Sequence, residues 1–330
     1  MKNFEYAAPR TEAEVLELLS DKPGNVEILA GGTDIIGLMK KMIVTPDRVV
    51  NIMEVASMQG IEQTAEGGIA IGAVVTLDTL LDSPYLKDYP AITQAIRGIN
   101  SMQLQSQGTL GGDICQRARC CYFRSGHGLL TDGDRHPVYG ENELHAILGN
   151  QGLAKFVSGS RIGPALIALG ATARILGPSE DEEQFVPVED FFRTPRHEAQ
   201  RETVLQPNQL LTHLVLPPVA GHKSATYEVR HGEGPDYPLA AAAASLKINL
   251  GAVTEAKIVL GQVAPTPWIS KEAARKMVGL HVTHETAEAV GEAAVASATP
   301  MSDNEYKVQL AKVAVKRAIL LAAGLETGGF

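Results

Sequence analysis

Apolar residues in this chain come either in short runs closed by glycine or proline or in stripes at helical spacing. Val15, Leu18 and Leu19 form such a stripe behind Thr11-Glu12-Ala13-Glu14, where a hydroxyl at the N-cap and a carboxylate three residues on make a capping box. The apolar run 26–30 leads into Gly31-Gly32-Thr33-Asp34 and then Ile35-Ile36-Gly37-Leu38-Met39-Lys40, which predicts a strand, a tight turn and a helix start. With a short strand at 48–52, these elements predict a small α/β lobe over 1–55. A buried strand at 68–75, a short helix at 76–81 and a helix at 91–99 follow. Thr109-Leu110-Gly111-Gly112-Asp113 is then read as a second Gly-Gly turn. Between about 115 and 150 periodicity disappears, which marks an inserted, functional excursion. A helix at 164–169, a strand at 171–176 and a strand at 210–216, stopped by Pro217-Pro218, complete a second lobe over 56–218.

From residue 222 the texture changes. Runs at 225–231, 239–249 and 256–263 predict a three-stranded sheet, and two or three amphipathic helices follow. The last has Tyr306, Leu310, Val313 and Leu320 on one face, Ser302-Asp303-Asn304-Glu305 as its expected capping box and Gly324 as its stop. Strands followed by helices over 222–330 read as α+β, the class expected for the chain.

The bulk numbers narrow the functions. At 330 residues the chain accommodates two or three domains, and 45% hydrophobic with 20% charged residues is ordinary for a globular protein. A net charge of −9 argues against a nucleic-acid partner and makes any bound phosphate depend on backbone N–H groups more than on Lys or Arg. No apolar run is long enough to span a bilayer, and the first residues lack a signal-peptide core. The three cysteines cluster at 115, 120 and 121, which is no disulfide framework, so a reducing, cytoplasmic compartment is expected. One Trp among 5% aromatic residues argues against a stacking platform.

Candidate chemistry centres on the two Gly-Gly segments, about eighty residues apart. Glycine reaches conformations a Cβ forbids, and helix-start N–H groups favour an anion. Matching neighbours in the two segments suggest one dinucleotide held from two sides. Neither segment is Gly-x-Gly-x-x-Gly or a phosphate-hydrolysing P-loop. Thr33 has a hydroxyl for a phosphate oxygen, whereas Asp34 is expected to cap the following helix or face a ribose. Three cysteines fall short of the four that an iron–sulfur cluster normally takes, and adding His127, His136 and His145 gives no recognisable zinc spacing. Cys115 is expected to line the cofactor wall, and His145, among apolar neighbours, to be structural. Gly234-Pro235-Asp236-Tyr237-Pro238 is either a plain hairpin connection or a contact with the cofactor from the second domain. No nucleophile elbow, His-Glu-x-x-His motif or paired acid/base carboxylates occur.

Ala30-Gly31-Gly32-Thr33-Asp34, Thr109-Leu110-Gly111-Gly112-Asp113 and Gln116-Arg117-Ala118-Arg119-Cys120-Cys121-Tyr122-Phe123 together resemble the FAD-binding (medium) subunit of molybdenum hydroxylases. The xanthine dehydrogenase, carbon monoxide dehydrogenase, aldehyde oxidoreductase and 4-hydroxybenzoyl-CoA reductase complexes belong to that family. The likeness covers essentially the whole chain, including Val263-Ala264-Pro265-Thr266-Pro267 and the helix near Arg317-Ala318. It implies a two-lobed FAD-binding domain of the vanillyl-alcohol-oxidase type followed by a smaller α+β domain. By the same resemblance, Gly31 to Asp34 and Thr109 to Asp113 would hold the pyrophosphate and ribose, with Leu29 and Ala30 flanking the first loop. Asp236 and Tyr237 would approach the isoalloxazine. The partners implied are a large subunit with the molybdenum cofactor and a small subunit with two [2Fe-2S] clusters, forming a heterotrimer. NAD or another external acceptor would take the electrons.

Two departures bear on that reading. The family commonly has Asn where this chain has Asp113, which places an extra negative charge near the expected pyrophosphate. Some relatives carry a [4Fe-4S] cluster on the inserted loop; here no Cys follows Cys121, so no cluster is expected. The alternatives to an electron-transfer subunit are a flavin-free assembly subunit of such a complex and a free-standing flavoprotein oxidase.

Overall fold

The structure, a computed structural model, describes residues 1–131, 137–232, 234 and 236–328. Its elements form three sheets. Strands β1 (Glu5–Ala7), β2 (Val26–Leu29) and β3 (Arg48–Asn51) pair in parallel in the order β1-β3-β2. Helix α1 (Glu12–Leu18) starts at the predicted capping box: Thr11 Oγ1 accepts from the Glu14 N–H at 3.2 Å, and the Glu14 carboxylate accepts from the Thr11 N–H at 3.3 Å. Helix α2 (Ile35–Lys40) follows the first Gly-Gly turn.

The second sheet is antiparallel, β4-β5-β8-β6-β7, from β4 (Ile61–Gln63), β5 (Ile69–Gly72), β6 (Thr172–Leu176), β7 (Glu183–Pro187) and β8 (Leu210–Leu216). Helices α3 (Leu77–Asp82), α4 (Pro90–Arg97), α5 (Met102–Gln107) and α6 (Leu110–Cys115) lie between β5 and the aperiodic stretch. In the described part of that stretch only one helical turn forms, α7 (Cys121–Arg124), before α8 (Gly163–Ala168); α9 (Val188–Phe191) follows β7. Strands β1, β4 and β7 are short and mostly exposed, and they leave no apolar run for a sequence reading to find.

The third sheet has four strands rather than the expected three: β9 (His222–Val229), β10 (Ala240–Asn249), β11 (Ala252–Gly261) and β12 (Trp268–Ile269), ordered β12-β11-β10-β9. At two residues, β12 is too short to show a period. Strand β10 opens with five alanines, all buried. Ala240, Ala242 and Ala244 belong to the core beneath α11 (His284–Ala294) and α12 (Tyr306–Ala322), with α10 (Lys271–Met277) beside them. Ala243 faces the core that contains α8, and a Cβ on Gly261 would meet Pro164 Cγ at 2.9 Å. Small residues thus let helices approach both faces of this sheet. One continuous core runs from Val15 and Val50 through Ile71 and Leu214 to Ala243 and Val259, so it reaches all three sheets.

The expected capping box of α12 does not form. Glu305 is the N-cap and its side chain makes no cap bond. The preceding residues instead hold the inserted stretch: Asn142 Nδ2 donates to Ser302 Oγ at 2.8 Å, the Asp303 N–H donates to Asn142 Oδ1 at 2.9 Å, and Asn304 Nδ2 donates to the His145 carbonyl at 3.2 Å. Lys307, 1% exposed, donates to the carbonyls of Leu144, His145 and Gln262 at 3.1, 3.1 and 2.8 Å, and burial pulls its pKa down to about 7. Among the described residues no helix is long and apolar enough to cross a membrane.

Candidate functional site

The first Gly-Gly segment is a true turn. Gly32 has φ +74°, the left-handed region, and an added Cβ would lie 2.7 Å from Ile36 Cδ1 and 3.2 Å from Leu29 Cδ1. Gly31 is needed for another reason: its Cβ would fall 1.5 Å from the Gln107 carbonyl oxygen, at the end of α5. The first loop therefore packs, backbone against backbone, on the residues just before Thr109. Among the described residues, the N–H groups of Gly31, Gly32, Thr33, Asp34 and Ile35 have no protein acceptor. They form five consecutive unspent donors at the start of α2.

Asp34 neither caps α2 nor stands free. Its carboxylate accepts from the Arg117 N–H at 2.9 Å and from Arg124 Nη2 at 2.6 Å, and Arg119 Nη2 is 3.3 Å away. The residue ties the first loop to the inserted stretch. The expected cap does not form, because two guanidinium groups and a backbone N–H claim the carboxylate instead.

The second Gly-Gly segment is no turn. Thr109 caps α6, with its Oγ1 accepting from the Gly112 N–H at 3.0 Å, and Gly111 and Gly112 lie in the first helical turn. The N–H groups of Leu110, Gly111 and Asp113 donate to Val75, Ala73 and Thr109 carbonyls at 3.0, 2.8 and 2.9 Å. Gly111 is glycine because its Cβ would press on Ala73 at 2.7 Å. Asp113 is buried, and its carboxylate is turned to protein donors. Its carboxylate accepts from Ser160 Oγ at 2.5 Å and from the N–H groups of Ile162 and Arg161 at 3.0 and 3.2 Å. Burial pushes its pKa up, and these donors offset only part of that rise.

A cleft of about 460 Å³ brings the two segments together. Ala30, Gly31, Gly32, Thr33, Asp34, Thr109, Gly111, Gly112 and Cys115 line it, with Gln116 and Arg117 beside them. Burial pushes the Cys115 thiol up to about 12, so it is a neutral wall group. Leu29 stands behind the loop, against Gly32. The opposite wall, including Arg193, His197, Arg201 and Gln206, escaped the sequence reading. It has no apolar period, and its only cue was an irregular charged run between Phe192 and Pro207. It is anchored by Arg201 on buried Glu27 and by Glu202, whose Oε2 accepts from Arg117 Nε at 2.8 Å. A second hollow of about 610 Å³ opens on the five-stranded sheet, where Arg174 Nη1 meets Glu12 Oε2 at 3.2 Å and Ser57 Oγ donates to Glu12 Oε1 at 2.7 Å.

Asp236 and Tyr237 do not line the cleft. Tyr237 stands one residue back, its hydroxyl donating to Gln116 Oε1 at 2.7 Å and its ring 4.7 Å beneath the Arg119 guanidinium. The Asp236 carbonyl lies 3.5 Å from Arg161 Nη1; Pro235 is outside the described residues. Cys115, Cys120 and Cys121 are free thiols. His145 Nε2 is 3.3 Å from Cys120 Sγ, and its Nδ1 is buried without a partner among the described residues. No three His, Cys, Asp or Glu side chains among the described residues converge on a metal-sized site; His136 lies outside them.

Residues 2–219 match the family described as the FAD binding domain in molybdopterin dehydrogenase, and residues 225–322 match the CO dehydrogenase flavoprotein C-terminal domain. The aldehyde oxidoreductase FAD-binding subunit PaoB of Escherichia coli K12 is 29% identical over 94% of this chain and 96% of its own. The carbon monoxide dehydrogenase medium chain of Hydrogenophaga pseudoflava is 26% identical, covering 96% of each chain. Among solved structures, carbon monoxide dehydrogenase from that organism superposes with a TM-score of 0.76 at 25% identity over 98% of each chain. Quinoline 2-oxidoreductase from Pseudomonas putida 86 gives the same score and identity over 98% and 99%.

Proposed function

The chain belongs to the FAD-binding subunits of the molybdenum hydroxylase family, and from that premise we propose that the cleft between Gly31-Gly32 and Thr109 holds the diphosphate of FAD and relays electrons for partner subunits. The protein is thus one subunit of an oxidoreductase, with FAD as its cofactor. One observation carries the placement: five consecutive N–H donors, Gly31 to Ile35, unspent at the mouth of a cleft. Unsatisfied helix-start amides are an anion site with no lysine required, which suits a chain of net charge −9. A cavity of this size is within the usual range for cofactor sites.

Residues 30–34 would hold the diphosphate, with Thr33 adding a hydroxyl. Thr109 and Cys115 would shape the opposing side. The second segment would act by position rather than by amides, since its N–H groups from Leu110 to Asp113 are spent. When bound, FAD supplies reversible one- and two-electron transfer. The protein's part is to bind, orient and shield it. Electrons would arrive from a small subunit bearing two [2Fe-2S] clusters, fed by a large subunit holding the molybdenum cofactor, and would leave to NAD or another acceptor. Three free thiols fit a reducing, cytoplasmic setting.

The test is expression with and without the neighbouring large and small chains. A flavin absorption spectrum in the purified chain, with FAD released on denaturation, supports the reading, as does co-purification with both partners. A colourless, folded chain that does not take up added FAD overturns it.

A further inference from the structure

Gln116 lines the cleft, yet both ends of its side-chain amide are committed inside the protein. Its Oε1 accepts from Tyr237 Oη at 2.7 Å and from Arg119 Nε and Nη2 at 3.2 and 3.0 Å. Its Nε2 donates to the carbonyl and Oδ1 of Asp113 at 3.0 and 3.1 Å. The amide is therefore sorted, with an acceptor facing donors and a donor facing acceptors. A flip would aim its NH₂ at a guanidinium and its oxygen at a carboxylate.

Asp113 suits this arrangement as Asn would not. Its Oδ1 takes Gln116 Nε2 and the Arg161 N–H, while Oδ2 takes Ser160 Oγ and the Ile162 N–H. An amide would turn one oxygen into a donor facing at least one backbone N–H, that of Arg161 or of Ile162. Tyr237 reaches Gln116 from the segment that enters β10, so a cleft residue is clamped between α6 and the C-terminal unit.

Building on the FAD reading of the cleft, we propose that Asp113 and Tyr237 are positioning residues for bound FAD that act through Gln116, holding its side chain in one pose on the cleft wall. Neither touches the cofactor. Each supplies one half of the hydrogen bonding that fixes Gln116, and the two halves come from different units of the fold.

The full-length chain, stripped of flavin, is titrated with FAD by flavin fluorescence for the wild type, Asp113→Asn, Tyr237→Phe, Gln116→Ala and the doubles pairing Gln116→Ala with each of the others. Asp113→Asn and Tyr237→Phe are each expected to weaken FAD binding about threefold to tenfold, the range of one misplaced hydrogen bond. In the Gln116→Ala background neither should add more than about twofold, because the residue through which they act is gone. Full additivity in that background would mean that they serve the fold rather than Gln116, and would overturn the inference while leaving the cofactor assignment standing. A wild-type chain that binds no FAD would overturn both. Should Asp113→Asn not fold, Tyr237→Phe decides alone, since it removes one hydroxyl and keeps the ring under Arg119.

Discussion

Gly32 carries the conformational demand of the cleft. At φ +74° an L residue costs about 1–2 kcal/mol, and a β-branched one more. Gly32→Val is expected to abolish flavin retention while the chain stays soluble, checked by the visible spectrum after purification; stoichiometric FAD in the variant would count against the site. His145 poses a different question, one of proton balance. Burial first and Lys307 second lower its pKa to about 4, below the 6.5 of an exposed imidazole. Between those values the unfolded chain binds a proton that the folded chain refuses, so stability present above pH 6.5 is lost as pH falls towards 4. The full effect is on the order of 3 kcal/mol. His145→Gln is expected to flatten the dependence of melting temperature on pH between 4 and 6.5, and an unchanged slope would show that His145 is not the group responsible. Residue types announced both kinds of position unequally. Gly32 was legible as a turn residue between a strand and a helix, whereas the Gln107 carbonyl that makes Gly31 a glycine lies far along the chain. Asp113 was not, because its partners Ser160 to Ile162 lie nearly fifty residues away and a motif does not say which way its carboxylate points.

At the scale of elements, local signals held where the chain had no competing use for them. The box at Thr11 and Glu14 formed as read, because the one further partner of the Glu14 carboxylate, the Arg10 N–H, comes from the same chain entry and draws it the same way. The equivalent reading at 302–305 failed because Ser302, Asp303 and Asn304 are drawn to Asn142 and the carbonyls of the inserted stretch. Thr109-Leu110-Gly111-Gly112 was read as a turn from its glycines, but the Thr109 cap makes it a helix start, and the glycines answer the packing of Ala73. The wall at 193–206 was illegible for a simpler reason: it shows no periodic apolar face, and ion pairs to Arg117 and Glu27 help to hold it. Strand β10 supplies the prediction at this level. Its alanines allow α8 and α12 to close on opposite faces. Ala243→Leu adds three carbons to a fully buried site and is expected to cost about 1–3 kcal/mol by overpacking, seen as a lower melting temperature. Lys247→Leu near the far end of the same strand, where the surface is partly open, should cost little. Equal losses at both sites would mean that β10 is not pinched between the helices.

For the whole molecule, the cleft draws on residues of the parallel sheet's loop, on α6 and on the segment before β8, all built over one core. Unfolding any of these walls removes the site, so FAD should bind the native chain alone and stabilise it by mass action. At a hundredfold excess over Kd the gain is about 2.7 kcal/mol. In a chain of this size that amounts to a rise in melting temperature on the order of 5 °C. What distinguishes the present reading is which part of the ligand supplies the effect. The unspent donors of residues 31–35 are suited to an anion, and the protein as a whole is negative. Affinity should therefore come from amides aimed at the diphosphate more than from long-range attraction. Riboflavin, which has the ring system but no phosphate, is expected to give little or no shift at concentrations where FAD gives the full one. Gly32→Val should erase the FAD shift without changing the response to riboflavin. Equal stabilisation by the two ligands would move the binding energy to the ring and away from the first glycine loop.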